Sequence, residues 1–479
     1  MLFLAACSGG STPSSGTTPP SPPSPPPPSA ANEWTWMSGS NTGNSLGVYG
    51  TQGTPSASSV PGGRYNSVSW IDKGGNFWLF SGNVYGQSGT SNPNDLWEYN
   101  PSANQWAFMG GRTDACIQSG SVCRYAWPGV YGTKGVASST NIPGGRSNAV
   151  SWTDANGDFW LFGGIGFDST ETTLGPLNDL WMYSPTTKLW TWISGSSQSV
   201  AVDSSGDYGQ LGVYGSQGVP SASNVPGGRY GSVSWLDQSG NLWLFGGYGY
   251  ASTTTGGNLN DLWEFNPTTQ QWAWMAGSYT VNASGNFGSL GTPASTNVPG
   301  SRHEATGWID NSGNFWLFGG SGFISTAANG ELNDLWEFNL ATKTWTWVSG
   351  SNSANAPGFY GTLGTGSANN TPGARWQSVS WTDSSGNLWL FGGNGYNDLW
   401  KFAPTTKTWT WVSGSSTSGA QGVYGTEGAA ATGNVPGARG GSAGWTDRSG
   451  NLWLFGGSGI DSSGIAGRPY LNDLWRYQP

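Results

Sequence analysis

Histidine is almost missing from this 479-residue chain: there is one, His303. A three-histidine zinc site cannot be assembled from it, and a serine–histidine–aspartate triad would have to rest on that single ring. Charge is scarce as well. Charged residues make up 9% of the chain and the net charge is −9, so there is no basic footprint for nucleic acid. No run of about 20 apolar residues occurs, which excludes a membrane-spanning helix. Cysteine is limited to Cys7, Cys116 and Cys123. The last two lie close together in a polar stretch. That spacing permits a small loop disulfide without proving one, and disulfides persist in oxidising compartments. What the chain does have is 80 Gly, 28 Pro and 31 Trp. Gly and Pro at this level can signal disorder, but an aromatic content of 14% argues for a folded core.

One sentence of sequence recurs through the chain. A copy reads P-G-G-R-Y-G-S-V-S-W-L-D-Q-S-G-N-L-W-L-F-G-G from Pro226 to Gly247, then N-D-L-W-E-F-N-P from Asn260 to Pro267, then W-A-W from Trp272 to Trp274. Each copy predicts four short strands. The first is S-V-S-W, ended by a tight turn in which Asp closes an Asx-turn and Gly takes positive φ. The second, [FL]-W-L-F, is apolar on both faces and must be buried on both. Gly-Gly follows, then D-L-W-x-[YF] as the third strand and W-x-W as the fourth. The D-L-W aspartates stand at Asp95, Asp179, Asp261, Asp334, Asp398 and Asp473. The chain stops after the sixth copy's third strand, at Asn472 to Pro479, and the missing W-x-W is Trp34-Thr35-Trp36 at the start. A closed ring explains that division; a linear stack does not.

The Gly-Gly doublet, with six residues between the aromatic of strand three and the first Trp of strand four, resembles the kelch repeat. Tyr99 and Trp106, Tyr183 and Trp190, Phe265 and Trp272, Phe338 and Trp345, and Phe402 and Trp409 all keep this spacing. The resemblance covers Glu33 to Pro479. It implies an all-β chain, a six-bladed kelch-type β-propeller with four antiparallel strands per blade, whose N-terminal strand closes the last blade and removes open edges. Blade one departs slightly, with Ser81-Gly82 for Gly-Gly and Phe108 for the second Trp.

Ahead of the repeats, Leu4-Ala5-Ala6-Cys7 resembles the lipobox of bacterial lipoproteins, in which the Cys is acylated after signal cleavage. Residues 1–7 are too short for a whole signal peptide and read as a truncated one. Residues 8–32 are rich in Ser, Thr, Gly and Pro and read as a disordered spacer. Residues 33–479 form the propeller. A lipid at Cys7, a stalk and a globular head place the protein at the bacterial cell envelope, as an outer-membrane or surface lipoprotein.

Antiparallel pairing sorts the loops. The two-to-three and four-to-one connections are long and share one end of the blades, where function is expected. Arg64, Arg146, Arg229, Arg302, Arg375 and Arg439 precede strand one and the six D-L-W aspartates precede strand three, at that same end. Arg–Asp pairs clamping the loops are the expectation; an arginine ring for an anionic ligand is the alternative. Most tryptophans belong to the repeat, which leaves Trp127 and Trp376 as candidates for the ligand face. The third residue after Gly-Gly gives Tyr85, Phe167, Tyr250, Phe323 and Tyr396 as further candidates. A second set, Tyr49, Tyr131, Tyr214, Tyr360 and Tyr424, lies in G-[VF]-Y-G, with Phe287 a loose sixth. These aromatics stack on a ligand or pin the loops.

The kelch propeller is shared with galactose oxidase, whose copper site needs two His, two Tyr and a Cys; one His cannot supply it. D-x-N-G-D at Asp154 to Asp158 and D-N-S-G-N at Asp310 to Asn314 lack the later Glu of a calcium loop. No cofactor or metal is therefore expected, and no catalytic set is assigned. Paired acids could be hidden among Asp168, Glu171, Asp203, Asp207, Glu304, Glu331, Glu427 and Asp461, since glycosidases need two placed carboxyls. The leading expectation is a non-catalytic module that binds an envelope protein or glycan. The alternatives are a carbohydrate-active enzyme, a sialic-acid-type isomerase or hydrolase, and a purely structural envelope component.

Overall fold

The computed structural model describes residues 31–86, 89–112, 117–119, 122–124, 127–170, 174–202, 208–325, 328–464 and 467–479. The lipidation expected at Cys7 falls outside the described residues, as do Cys116 of the expected Cys116–Cys123 disulfide and residues 8–30 of the spacer.

Among the described residues every regular element is a strand, and six antiparallel sheets share a core of four strands in the order first, second, third, fourth. Sheet 1 is Val68–Ile71, Phe77–Phe80, Leu96–Asn100 and Gln105–Gly110. Sheet 2 is Val150–Thr153, Phe159–Phe162, Leu180–Ser184 and Leu189–Ser194. Sheet 3 is Val233–Leu236, Leu242–Tyr250, Gly256–Asn266 and Gln271–Ala276. Sheet 4 is Thr306–Ile309, Phe315–Ser325, Ala328–Asn339 and Thr344–Ser349. Sheet 5 is Val379–Thr382, Leu388–Gly393, Tyr396–Ala403 and Thr408–Ser413. Sheet 6 takes Ala443–Thr446, Leu452–Gly459 and Tyr470–Gln478 from the end of the chain and Glu33–Ser38 from its beginning. Trp34 there faces Tyr477, and Trp36 faces Trp475.

Burial follows the patterning. In every first strand Val, Thr or Ala and the Trp are buried and the residues between them are half-buried. The [FL]-W-L-F segments of the second strands are buried throughout, because each lies between two neighbouring sheets. The first strands neighbour one another in chain order, and that of sheet 6 neighbours that of sheet 1. Their tryptophans weld the joints. Trp70 stacks on Phe159 of sheet 2 with centroids 5.3 Å apart, and its indole N–H donates to the Trp160 carbonyl at 3.0 Å. The last joint repeats the first: Trp445 stacks on Phe77 at 5.1 Å and donates to the Trp70 carbonyl at 3.0 Å.

The Gly-Gly doublets need their glycines. Gly246 and Gly247 have φ of +63° and +101°, the left-handed region that disfavours a Cβ. Ser81 in sheet 1 adopts φ +57° there, and its hydroxyl donates to the Arg146 carbonyl at 2.7 Å.

The long four-to-one connections do not crowd the end of the sheets as expected. Each runs along the outer edge of the sheet it enters, bridging its fourth strand at Ser56–Trp106, Ser138–Trp190, Ser221–Trp272, Ala294–Trp345 and Ser367–Trp409. In sheet 6, Ala430 and Ala431 pair with Thr35 and Trp34. Those loops are spent on covering edge strands that would otherwise template aggregation.

Candidate functional site

The arginines and aspartates form six buried, two-pronged pairs. Arg229 donates to Asp261 at 2.6 and 2.8 Å, and the other five pairs span 2.6 to 3.0 Å. Each guanidinium also donates to two loop carbonyls, which for Arg229 are those of Gly227 and Gly246. Each aspartate accepts from the Trp two residues on; Trp263 donates to Asp261 at 2.7 Å. In five of the repeats the G-[VF]-Y-G tyrosine donates to the same carboxylate, as Tyr214 does to Asp261 at 2.6 Å. Burial and then the aspartate push the hydroxyls of Tyr49, Tyr131, Tyr214, Tyr360 and Tyr424 far above their ordinary range. Burial works against the charge on Arg64, Arg146, Arg229, Arg375 and Arg439, and the paired aspartate more than offsets it. With each guanidinium buried and committed to its aspartate and two loop carbonyls, these clusters offer no anion site; they tie the incoming loop to the sheet.

Just inside the arginines the chain makes a second ring. The residue two after each Arg is left-handed: Asn66, Asn148, Gly231, Glu304, Gln377 and Gly441 have φ between +53° and +69°. Each of their backbone N–H groups donates to the carbonyl of another member. Asn66 donates to Gly441, Gly441 to Gln377, Gln377 to Glu304, Glu304 to Gly231, Gly231 to Asn148, and Asn148 back to Asn66, at 2.6 to 3.0 Å. This closed circuit frames an inner chamber of about 160 Å³. Behind it lies a channel of about 480 Å³ lined by Ser69, Ser151, Gly307, Ser380 and Gly444 of the first strands. In front of it opens a cup of about 360 Å³, lined by Tyr65, Asn66, Asn83, Ser147, Asn148, Ile165, Glu304, Trp376, Gln377, Asn394, Gly440, Ser458 and Arg468.

Glu304 lines both cup and chamber and breaks the symmetry of the ring. Its side chain is 6% exposed. Its Oε1 accepts from Asn148 Nδ2 and Gln377 Nε2, each at 2.8 Å, which carries the carboxyl across from sheet 4 to sheet 2. Its Oε2 has His303 Nε2 at 3.9 Å and no hydrogen bond among the described residues. Burial pushes the carboxyl up to about 7, with the two amides opposing. Burial also holds His303 down to about 4, so the ring is neutral at pH 7. His303 Nδ1 lies 2.6 Å from Asn258 Oδ1, and Tyr248 and Tyr230 flank the ring at 5.7 and 6.3 Å.

Several aromatic candidates stand elsewhere. Trp127 is fully buried, with the Arg112 guanidinium 4.9 Å above its ring, so it is no ligand platform. Tyr250 is 6% exposed and is likewise withdrawn from the surface. Tyr85, Phe167, Phe323 and Tyr396 are half-buried and do not line the cup. Tyr396 instead covers Arg375 at 4.5 Å. The cause is pairing register. Asn83 lies opposite Tyr65 and Val84 opposite Arg64, so Tyr85 falls behind the ion pair, away from the mouth. Trp376, one residue after its arginine, does line the cup. Among the non-repeated acids, Asp168 accepts from the backbone of Thr170 and Ser199, and Asp461 from that of Gly43 and Ser463. Glu427 is exposed and Glu331 binds Asn394; Glu171, Asp203 and Asp207 lie outside the described residues. Among the described residues no group of three metal-ligating side chains occurs. The positions that matter were readable as the variable slots beside an invariant one: one and two after each Arg, and one after each Gly-Gly.

Residues 216–419 match the family model described as the KLHDC2/KLHL20/DRC7 Kelch-repeats domain. Together with the all-strand architecture this supports a kelch-type propeller, the fold of many protein-interaction modules. A comparison with curated proteins gives no match.

Proposed function

We propose that the chain is a six-bladed kelch-type propeller of the bacterial cell envelope, closed by Glu33–Ser38 on the last blade, that binds a protein or glycan without catalysis. The observation that carries the reading is the cup. It is a concave, polar recess at the end of a rigid ring, and its lining varies from blade to blade while the repeat around it does not. Side-chain amides, hydroxyls and one indole suit a ligand rich in hydrogen-bonding groups. Among the described residues lining the cup Glu304 is the one carboxylate, where hydrolysis of a glycosidic bond calls for two. The head is held at the membrane through an acylated Cys7 and a Pro- and Ser-rich stalk. Two experiments test this. Incorporation of labelled fatty acid in cells must be abolished by Cys7→Ala. A screen of glycans and envelope proteins must return a ligand whose binding is lost on substitution of Trp376 or Gln377; a ligand indifferent to both removes the cup from the reading.

One observation favours a second reading, a carbohydrate-active enzyme. A carboxyl held near 7 beside a neutral imidazole is poised for acid–base work. Turnover of a bound sugar, abolished by Glu304→Gln with binding retained, would establish it.

A further inference from the structure

We infer that the cup recognises a primary ammonium group, seated between Glu304 Oε2 and His303 Nε2. The inference rests on the binding reading above and adds the chemistry of the ligand.

The first observation is an acceptor without a donor. Glu304 is buried, its Oε1 is saturated by two amides, and its Oε2 faces the recess with no hydrogen bond among the described residues. Oε2 is not among the fully buried unpartnered atoms, so it is open to the recess, and a ligand donor meeting it in this largely desolvated site gains a charge-assisted hydrogen bond. The second is the state of His303. Its Nδ1 lies 2.6 Å from Asn258 Oδ1 and the ring is also hydrogen-bonded to the Ser321 backbone; we place the one proton of the neutral ring on Nδ1, where the Asn258 carbonyl accepts it. Nε2 then presents a lone pair toward Oε2 across 3.9 Å. Two acceptors at that separation need a shared donor bearing more than one N–H. The third is the set of amides. Asn148 and Gln377 turn their nitrogens to Oε1, which leaves their own oxygens to accept from a ligand. The floor is therefore a cluster of acceptors. An ammonium carries three donors and a positive charge, and it meets this floor better than a hydroxyl does.

The charged and titratable neighbours agree. Tyr65 and Tyr230 feel the Glu304 charge and keep their protons, pushed up by burial first. Arg468 is the one cation among the described residues lining the cup; it is exposed, so solvent screens it, and it can meet an anionic group elsewhere on the ligand.

The test uses the full chain, calorimetry, and three probes: glucosamine, glucose and glycinamide. Glucosamine and glucose differ at one position, amine against hydroxyl. Glycinamide presents the amine of a chain terminus. The expected result is that at least one amine binds ten or more times tighter than glucose. Its affinity should fall about tenfold per pH unit below about 7, where amines stay protonated and Glu304 does not stay ionised. Glu304→Gln keeps an oxygen for Asn148 and Gln377 and should abolish amine binding without loss of fold; His303→Gln should weaken it. Binding of glucosamine alone assigns an amino sugar, and of glycinamide alone a peptide amino terminus. Glucose bound as tightly as glucosamine overturns the inference and leaves the cup a binding site. So does amine binding untouched by Glu304→Gln or flat from about pH 5.5 to 7. If no probe binds, the inference fails, while the glycan and protein screen decides the broader reading on its own.

Discussion

Asp261→Asn is the substitution that most directly tests how the ring is held. Asp261 and Arg229 are both fully buried, and the carboxylate takes four donors: two from Arg229, at 2.6 and 2.8 Å, with Trp263 at 2.7 Å and Tyr214 at 2.6 Å. Asparagine has one acceptor oxygen. Placed toward Trp263 and Tyr214 it keeps three of the donors, but its amide nitrogen then confronts an Arg229 N–H. One hydrogen bond is lost, two donors face each other, and the guanidinium charge is left buried without a counter-charge. Removing one partner of such a pair costs about 3–5 kcal/mol. The measurement is urea unfolding followed by tryptophan fluorescence and by circular dichroism, with coincident transitions required before a free energy is extracted. A double variant, Arg229→Met with Asp261→Asn, should recover part of the loss, because the stranded charge is gone. A cost for Asp261→Asn below about 1 kcal/mol, the range of exposed pairs, would refute the claim that these pairs clamp the loops.

Sheet 4 offers the reverse experiment. Phe287 stands where the other repeats have their tyrosine, and it packs on Trp336 at 4.9 Å just as Tyr214 packs on Trp263 at 4.8 Å. Phe287→Tyr should add a hydrogen bond to Asp334 and raise stability by about 1 kcal/mol in the same unfolding assay. Trp34 is 2% exposed and lies against Phe391, Trp475 and Tyr477. Trp34→Ala should cost about 3–5 kcal/mol and promote self-association through the loosened edge of Tyr470–Gln478, read by light scattering. Glu304 gives a pH signature. Its folded carboxyl near 7 lies above the unfolded value, so the native state holds the extra proton and wild-type stability falls as pH rises through about 4.5 to 7. His303, lowered to about 4, contributes the opposite slope over about 4 to 6.5. Glu304→Gln removes only the first. It should match wild type near pH 4 and exceed it by about 3 kcal/mol at pH 8, measured by urea midpoints.

The repeat made the strands legible because it states each constraint many times. A second strand that is apolar on both faces has to be buried on both. Gly-Gly marks left-handed backbone, and the W-x-W displaced to Trp34–Trp36 finds its place on Tyr470–Gln478. The Arg and Asp of each repeat were legible as partners from their charge and their common end. The long loops were not. Their length pointed to a ligand face, while their polar, glycine-rich composition gave no sign that they run along the fourth strands. The aromatics counted from Gly-Gly miss the cup for a related reason. Counting from Gly-Gly locates a residue along the chain, whereas facing the mouth depends on which residue sits opposite it, and that places Asn83 rather than Tyr85 beside Tyr65.

By itself, then, the order of residues determined the strands, their burial and the pairing of each Arg with its Asp, because those depend on local pattern and on contacts repeated in every copy. It also held Glu304 among a scatter of unrepeated acids. Only the tertiary structure decided that this carboxyl, and none of the other acids among the described residues, reaches over the axis to meet Asn148, Gln377 and His303. Residues from three sheets converge there, separated by up to 229 positions in the chain, and no local rule encodes a distance that closure of the whole ring sets.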